Sequence, residues 1–192
     1  MTGVTEQKNA LRVRLRETRA TEADLPGASA AVCRRLAVLP ELATARVVMG
    51  YAATPEEVSI DAALQRLQAA GVTVCLPWVE GPSLGIGSIG DLAADLAPGW
   101  RGVREPVAER RAPMRASMVD VVLAPGVGFD PTGHRLGFGG GHFDRLLARL
   151  RRGAVVVGIA LDSQLVDHVP VEPHDRTVDV IVTPTRTLRP GI

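Results

Sequence analysis

Cysteine is scarce in this sequence, which has only Cys33 and Cys75 among its 192 residues. The two do not form a CxxC pair, and Cys75 lies in an apolar run, so we expect reduced residues in or near the core rather than a disulfide. No segment approaches the roughly 20 apolar residues of a membrane helix, and no apolar N-terminal segment resembles a signal peptide. These absences lead us to expect a cytoplasmic protein with no membrane partner.

Aromatic residues and excess charge are also lacking. Phe, Trp and Tyr make up 3% of the chain, and the formal net charge is +1. Proteins that bind single-stranded nucleic acid combine stacking aromatics with a strongly basic surface. We therefore expect no nucleic acid partner.

Apolar runs that alternate with helical patterns are the main feature of what is present. We predict helices over 5–20, 24–39 and 59–70, and strands over 46–51, 72–77, 154–161 and 178–183. This order predicts an α/β fold: one domain over 1–192, with a mostly parallel sheet flanked by helices on both faces in a Rossmann-like three-layer arrangement. Ligands of such sheets bind beyond the carboxyl ends of the strands. The segments expected at that rim are 52–57, 77–78, 125–141 and the residues from 162 onward.

The segment 123–150 is the most informative part of the chain. An apolar strand ends at Pro125, and seven glycines follow at positions 126, 128, 133, 137, 139, 140 and 141. Apolar residues then recur at helical spacing from Phe143 to Leu150. A glycine loop before a helix brings bare main-chain N–H groups close to a bound anion. Arg135 adds a positive charge to this segment, and Asp144 adds a carboxylate suited to magnesium.

A second glycine pattern, Gly85-Ile-Gly-Ser-Ile-Gly90, matches G-x-G-x-x-G. It lacks a convincing preceding strand and a long following helix, so we do not interpret it as a dinucleotide site. Residues 81–102 are predicted to be an irregular excursion with at most one edge strand, in which Trp100 is a half-buried anchor.

The glycine segment resembles a known signature. Pro125-Gly-Val-Gly-Phe-Asp130, Arg135-Leu-Gly137 and Gly139-Gly-Gly141 before Phe143-Asp-Arg145 resemble the motif of the 5-formyltetrahydrofolate cyclo-ligase family. Lys8-x-x-Leu11-Arg12 resembles the family's N-terminal ATP-binding segment, and Glu57-Val58 resembles its folate-binding dipeptide. Gly102-Val-Arg-Glu105-Pro106 resembles a further segment that shapes the folate cleft, although a plain turn explains it equally well.

The resemblance implies an enzyme that cyclises 5-formyltetrahydrofolate to 5,10-methenyltetrahydrofolate, with ATP as co-substrate and Mg²⁺ as cofactor. We expect it to act as a monomer. The implied catalytic residues are Lys8, Arg135 and Gly140, and the implied metal ligands are Asp144 and Asp175. The implied ATP-binding residues are Lys8, Arg12, Arg135, Leu136, Gly137, Phe138, Gly139, Gly140, Gly141, His142 and Phe143. The implied folate-binding residues are Glu57, Phe138, Gly139, Gly140, Gly141 and His142.

Simpler interpretations stand beside these roles. In the first helix, Lys8, Arg12, Arg16 and Arg19 form a basic face opposite Val4, Leu11 and Leu15. Without the glycine segment, such a face is a solvated surface. We assign Lys8 and Arg12 to the phosphates, and Arg14, Arg16 and Arg19 to the surface.

Two carboxylates also have plain alternatives. Glu57 could be a solvated rim residue, and Asp175 could cap a turn ahead of the last buried strand. The nearby His168, Glu172 and His174 suggest a transition-metal site, but their spacing matches no zinc pattern.

The chain departs from the family pattern at two positions. Many members carry two aromatic residues where this chain has His142-Phe143, and some carry a lysine at the position of Gly140. One rival hypothesis is therefore a MgATP enzyme of the same fold that acts on another formylated substrate. The other rival is a non-catalytic nucleotide- or RNA-binding module that uses the basic first helix.

Overall fold

The computed structural model describes residues 3–20, 22–99 and 102–191, so the predicted anchor Trp100 lies outside the described residues. The helices are α1 (Val4–Ala20), α2 (Leu25–Leu36), α3 (Pro40–Ala43), α4 (Asp61–Ala69) and α5 (His142–Leu147). The strands are β1 (Val47–Met49), β2 (Thr73–Glu80), β3 (Ser83–Ser88), β4 (Leu96–Pro98), β5 (Arg104–Pro106), β6 (Ala112–Pro113), β7 (Val121–Pro125), β8 (Gly128–Phe129), β9 (Arg135–Leu136), β10 (Val155–Ile159), β11 (Val180–Val182) and β12 (Thr187–Leu188).

An eight-stranded sheet in the order β12-β11-β10-β7-β1-β2-β3-β6 organises the chain. The five strands from β11 to β2 pair in parallel, and the flanking strands β12, β3 and β6 pair antiparallel. The carboxyl ends of β1, β7, β10 and β11 therefore meet at one rim. The predicted α/β class with a mostly parallel sheet is confirmed.

The sheet is buried on both faces, which explains its continuous apolar runs. Val121 and Leu123 of β7 join a core with α2 and α4, whereas Val122 and Ala124 join a second core with α5. A third, smaller cluster lies between α1 and the hairpin β8–β9. Helices thus cover both faces, as the three-layer prediction requires.

Pro40 begins α3, because proline's fixed φ and missing N–H suit the first turn of a helix. One local prediction was wrong. The segment after β2 is not irregular: β3 pairs with β2 over six residues. A Cβ on Gly85 would lie 2.2 Å from the Trp78 ring, so this glycine makes room for the indole. The pattern lies in an antiparallel strand, which confirms that it is not a dinucleotide loop.

Both cysteines are free thiols, as expected. Cys75 is completely buried, and burial raises its pKa to about 12. In the described part of the chain, no helix is long and apolar enough to cross a membrane.

Phe129 fixes the hairpin β8–β9 against the sheet. It is completely buried, and a Cβ on Gly158 of β10 would lie 2.5 Å from its ring. We expect Gly158→Ala to lower the free energy of unfolding by about 1–3 kcal/mol, because neither partner can move without opening the core. Urea denaturation measures the free energy of unfolding. As the control, Gly3→Ala, with open space around its Cβ, should change that free energy by less than about 0.5 kcal/mol. Equal effects of the two substitutions would contradict the close packing of Gly158 against Phe129.

Candidate active site

The glycine segment begins as a hairpin rather than an open loop. β8 and β9 pair at the carboxyl rim directly after β7, and Arg135 and Leu136 of β9 are 5% and 1% exposed. Leu136 packs beside Leu11 and Leu15 under α1, so its side chain faces a core. Any contact of Leu136 with a nucleotide would have to come from its main chain.

Residues 137–141 follow the hairpin as an irregular segment that precedes α5. Phe138, Gly139 and Gly140 are exposed, and Gly139 has φ +105°, a conformation that a side chain would strain. A Cβ on Gly140 would lie 2.7 Å from the His142 ring. Arg145 of α5 donates from Nη2 to the Gly140 carbonyl at 2.7 Å, which holds the segment against the helix.

Helix α1 crosses this rim, and its buried stripe differs from the prediction. Lys8, Leu11, Leu15 and Arg19 are the buried residues of α1, whereas Val4 is exposed. Lys8 and Arg19 therefore do not lie on a solvated face. At about 100° per residue, both fall within about 40° of Leu15, so the basic and apolar stripes adjoin rather than oppose each other. The surface assignment of Arg19 was wrong, and Arg14 and Arg16 are exposed as expected.

Lys8 is bound by two carboxylates. Its Nζ donates to Glu172 Oε2 at 2.7 Å and to Asp175 Oδ2 at 2.5 Å. Burial alone would lower the pKa of Lys8, but the two carboxylates outweigh it and raise the pKa. Burial likewise opposes the lowered pKa of Asp175, which the hydrogen bond from Lys8 produces. Asp175 also accepts from the Glu172 N–H at 2.7 Å, so it caps a turn as the alternative interpretation expected.

This ion pair has a defined pH window. The ordinary pKa values are 3.8 for aspartate and 10.5 for lysine. The stabilisation from Asp175 is complete between these values, is lost as pH falls below 3.8 through the lowered pKa of Asp175, and is lost as pH rises above 10.5 through the raised pKa of Lys8. The hydrogen bond from Lys8 also lowers the pKa of Glu172 from its ordinary 4.5, so the share of that carboxylate begins to fall below pH 4.5. We expect the difference in unfolding free energy between wild type and Lys8→Met to shrink at both extremes. Urea denaturation measures this difference in unfolding free energy. A difference that is constant from pH 3 to pH 7 would contradict the stabilising role of the ion pair.

Arg135 and Asp144 form a second pair of the same kind. Arg135 Nη2 donates to Asp144 Oδ1 at 3.0 Å, and the two side chains are 2% and 14% exposed. The Phe143 ring lies 5.5 Å from the guanidinium. The Arg176 N–H donates to the same carboxylate oxygen at 3.3 Å, which brings Asp144 beside Asp175. Two of the three predicted phosphate-binding cations, Lys8 and Arg135, are thus each paired with a predicted metal-binding carboxylate.

Arg12 joins α1 to the glycine segment. Its Nε donates to the Gly137 carbonyl at 2.8 Å, and its Nη1 donates to Asn9 at 2.6 Å. Burial, together with the nearby charge of Arg16, lowers the pKa of Arg12. Lys8 and Arg12 are four residues apart on α1, so their side chains lie on the same side of the helix.

Glu57 lies in the loop after β1. Its Oε2 accepts from the Thr54 N–H at 2.9 Å, and the side chain lines a cavity of about 650 Å³. The rest of the lining comes from the start of α2, the loop 53–59, Gly102 and Arg104. Glu57 is thus a partly buried cavity residue rather than a freely solvated one. The segment 102–106, predicted to shape the cleft or to form a turn, contributes Gly102 to the cavity wall and forms β5.

Three further predicted residues lie around the exposed segment. Phe138 is 45% exposed, and the guanidinium groups of Arg16 and Arg19 lie 6.0 and 5.9 Å from its ring centroid. His142 begins α5, and its Nδ1 lies 3.5 Å from Arg145 Nη2. Phe143 packs partly against the core beneath α5, where it contacts Arg135 rather than solvent.

The residues at this rim fit magnesium and phosphate chemically. Asp144 and Asp175 supply carboxylate oxygens, which are the ligands that magnesium prefers. Arg135 keeps a buried Nε that lacks a hydrogen-bond partner among the described residues, and so retains a donor for an anion. Ligand atoms of Glu172, His174 and Asp175 also lie within 4.8 Å of one another. His168 is outside that group, and Lys8 already occupies both carboxylates.

Sequence reasoning missed two residues of this rim. Glu172 shares Lys8 with Asp175, and Arg19 is buried beside Phe138 with its Nη2 2.7 Å from Glu56 Oε2. Glu172 was considered only as a zinc ligand. The heptad-like spacing of Lys8, Leu15 and Arg19 was the available signal for the burial of Arg19.

Known proteins that resemble this chain identify its family. A 5-formyltetrahydrofolate cyclo-ligase of Mycolicibacterium smegmatis is 31% identical over 152 residues, 73% of this chain and 75% of that one. The Escherichia coli cyclo-ligase is 31% identical over 160 residues, 79% and 85% of the two chains. The NMR structure of Aquifex aeolicus 5,10-methenyltetrahydrofolate synthetase has a TM-score of 0.80 at 31% identity, over 96% of this chain and 93% of that one. A model of the 5-formyltetrahydrofolate cyclo-ligase family matches residues 4–184, and the chain therefore belongs to that family of enzymes.

Proposed function

We propose that this enzyme uses MgATP to cyclise 5-formyltetrahydrofolate to 5,10-methenyltetrahydrofolate, with release of ADP and phosphate. The observation that carries the proposal is the double pairing at the rim: Lys8 with Asp175, and Arg135 with Asp144, beside an exposed glycine segment. A site that binds an anion and a divalent cation together needs positively and negatively charged side chains, and these must lie close to each other.

The chemical problem is a poor leaving group. Ring closure expels the formyl oxygen, which does not depart by itself from an amide carbon. Transfer of the γ-phosphoryl group of ATP to that oxygen breaks the bond to ADP and makes the oxygen part of a phosphate. The neighbouring secondary nitrogen of the folate then attacks the formyl carbon, loses its proton, and phosphate departs with the original formyl oxygen. Phosphoryl transfer needs little more from a protein than positioning and charge neutralisation.

The cations and the bare backbone would carry out the phosphate binding. Lys8, Arg12 and Arg135 would hold the triphosphate, and the main chain of 137–141 would allow close approach of the transferring group. Gly140 is one of the three exposed residues of that segment. Asp144 and Asp175 would hold Mg²⁺, which neutralises phosphate charge when bound.

Binding requires the rim residues to exchange partners. Lys8 and Arg135 are each neutralised by one of the carboxylates proposed to bind the metal. If free ATP took Lys8 and Arg135, it would leave Asp144 and Asp175 uncompensated beside its own negative charge. That arrangement costs free energy in a partly buried site. We therefore infer that the site selects the magnesium complex of ATP over free ATP.

The folate would lie across the rim from the triphosphate. Glu57, in the wall of its cavity, would accept hydrogen bonds from the amino-pyrimidine edge of the pterin, a pairing that suits a carboxylate. Phe138, Gly139, Gly140, Gly141 and His142 would lie between the pterin and the phosphates. This arrangement would bring the formyl oxygen to the end of the triphosphate.

The test is to mix the protein with 5-formyltetrahydrofolate and MgATP, and to follow methenyltetrahydrofolate by its near-ultraviolet absorbance. The proposal expects product that depends on both ATP and Mg²⁺. If a high concentration of enzyme yields no product, the rival hypothesis of another formylated substrate takes its place. Salt-dependent RNA binding without ATP hydrolysis would instead favour the binding-module rival.

A further inference from the structure

Arg19 is the least expected residue near the rim. It lies at the carboxyl end of α1, is 7% exposed, and uses Nη2 to donate to Glu56 Oε2 at 2.7 Å. Its Nε and Nη1 are buried and have no hydrogen-bond partner within the described ranges. A buried guanidinium with unmet donors is costly, because charged N–H groups are strongly hydrated in the unfolded chain. A ligand that supplies acceptors removes that cost.

The surroundings of Arg19 connect two segments of the candidate site. Glu56 belongs to the loop after β1 and adjoins Glu57. Phe138 belongs to the glycine segment, and its ring centroid lies 5.9 Å from the Arg19 guanidinium. The Glu56 pair and the ring contact hold the guanidinium in one orientation, so its remaining donors are fixed in place.

The position of Arg19 along α1 indicates which substrate it faces. Lys8 contacts Asp175 at the predicted metal end, and Arg19 follows eleven residues later. At a rise of about 1.5 Å per residue, the two are separated by about 16 Å along the helix. Arg19 is therefore far from the Lys8–Asp175 end of the proposed triphosphate site and lies beside the loop proposed to hold the folate.

We propose that Arg19 binds the folate, by donating Nε–H or Nη1–H to an oxygen acceptor of bound 5-formyltetrahydrofolate. This inference rests on the proposed function. The acceptor is a carbonyl or carboxylate oxygen, because a charged guanidinium N–H forms strong hydrogen bonds with such groups. Two parts of the folate contain such oxygen atoms: the pterin with its formyl group, and the glutamate tail.

Binding measurements on three variants test the assignment. Isothermal titration calorimetry would use 5-formyltetrahydrofolate, a 5-formyltetrahydropterin that lacks the tail, and Mg²⁺ with β,γ-methylene ATP. We expect Arg19→Gln to lower the affinity for 5-formyltetrahydrofolate by about 10–100-fold. The affinity for the ATP analogue should fall by less than about twofold. Arg19→Lys keeps the charge without the fork and should fall between. Arg14→Gln removes an exposed charge from the same helix and should leave all three affinities unchanged.

The pattern of affinity losses shows which part of the folate, if any, Arg19 contacts. A loss shared by the head-only pterin assigns the acceptor to the pterin or its formyl group, and a loss confined to the full folate assigns it to the tail. Unchanged folate affinity in Arg19→Gln overturns the proposal. Equal losses of affinity for folate and for the ATP analogue also overturn it, because they indicate that Arg19 only holds α1 in place. If Arg19→Gln does not fold, the same comparison on Arg19→Lys decides. A wild-type protein that binds no folate counts against the proposed function itself.

Discussion

Lys8→Met is expected to reduce kcat/KM for cyclisation by about 10³-fold, in the range typical for removal of a group that neutralises transition-state charge. Lys8 is the only lysine in the chain, and it is 6% exposed. Methionine keeps much of the side-chain length without the charge. The variant should still bind folate, because Lys8 lies at the other end of α1 from Arg19 and the loop after β1. The absorbance assay measures the loss, and calorimetry with 5-formyltetrahydrofolate measures the binding.

Arg14→Met is the matched control for this result. It removes one positive charge from the same helix at an exposed position. Its kcat/KM should stay within about twofold of wild type, because an isolated surface charge is screened at physiological salt. A Lys8→Met variant that keeps more than about a tenth of wild-type activity would remove Lys8 from the catalytic set.

Asp144→Asn is expected to reduce kcat/KM by about 10²–10³-fold, and to raise the Mg²⁺ concentration needed for half-maximal rate. The amide oxygen can still accept from Arg135 Nη2, which Asp144 contacts at 3.0 Å. The fold should therefore survive, with a modest fall in the melting temperature. Asp144→Ala is a poorer probe, because it would leave the buried guanidinium of Arg135 without a counter-charge.

Asp167→Asn is the control for the aspartate. Asp167 is exposed on the loop after β10. Its substitution should leave both the rate and the Mg²⁺ dependence unchanged. Equal Mg²⁺ dependence in Asp144→Asn and wild type would contradict the assignment of Asp144 as a metal ligand, whatever the change in rate.

The elements that follow simple periodicity could be predicted from the sequence. The buried strands around β1, β7, β10 and β11 are continuous apolar runs, and α1, α2 and α4 follow helical spacing, so the sheet and its layers follow from local pattern. The strand β3 was placed in a segment predicted to be irregular, because its glycines resemble a loop. Their small size makes room for Trp78, and that depends on a neighbour that only the folded chain supplies.

The site could be predicted only in part, for a different physical reason. The glycine segment is local, so its residues could be identified together. The partners of Lys8 lie 164 and 167 residues away, and only the fold shows that they share one cation. Arg19 was misplaced because charged residues on an amphipathic helix are usually solvated. Its burial depends on Glu56 and Phe138, which come from other segments. The pairing of each cation with a carboxylate is likewise a tertiary property.

The account requires that the formyl oxygen leave as part of a phosphate. The most direct measurement uses 5-formyltetrahydrofolate labelled with heavy oxygen in its formyl group, and determines by mass spectrometry where that oxygen appears after turnover with MgATP. The account predicts that each phosphate released carries the formyl oxygen. Unlabelled phosphate, with the heavy oxygen recovered in water, would contradict phosphoryl transfer to the substrate at this rim.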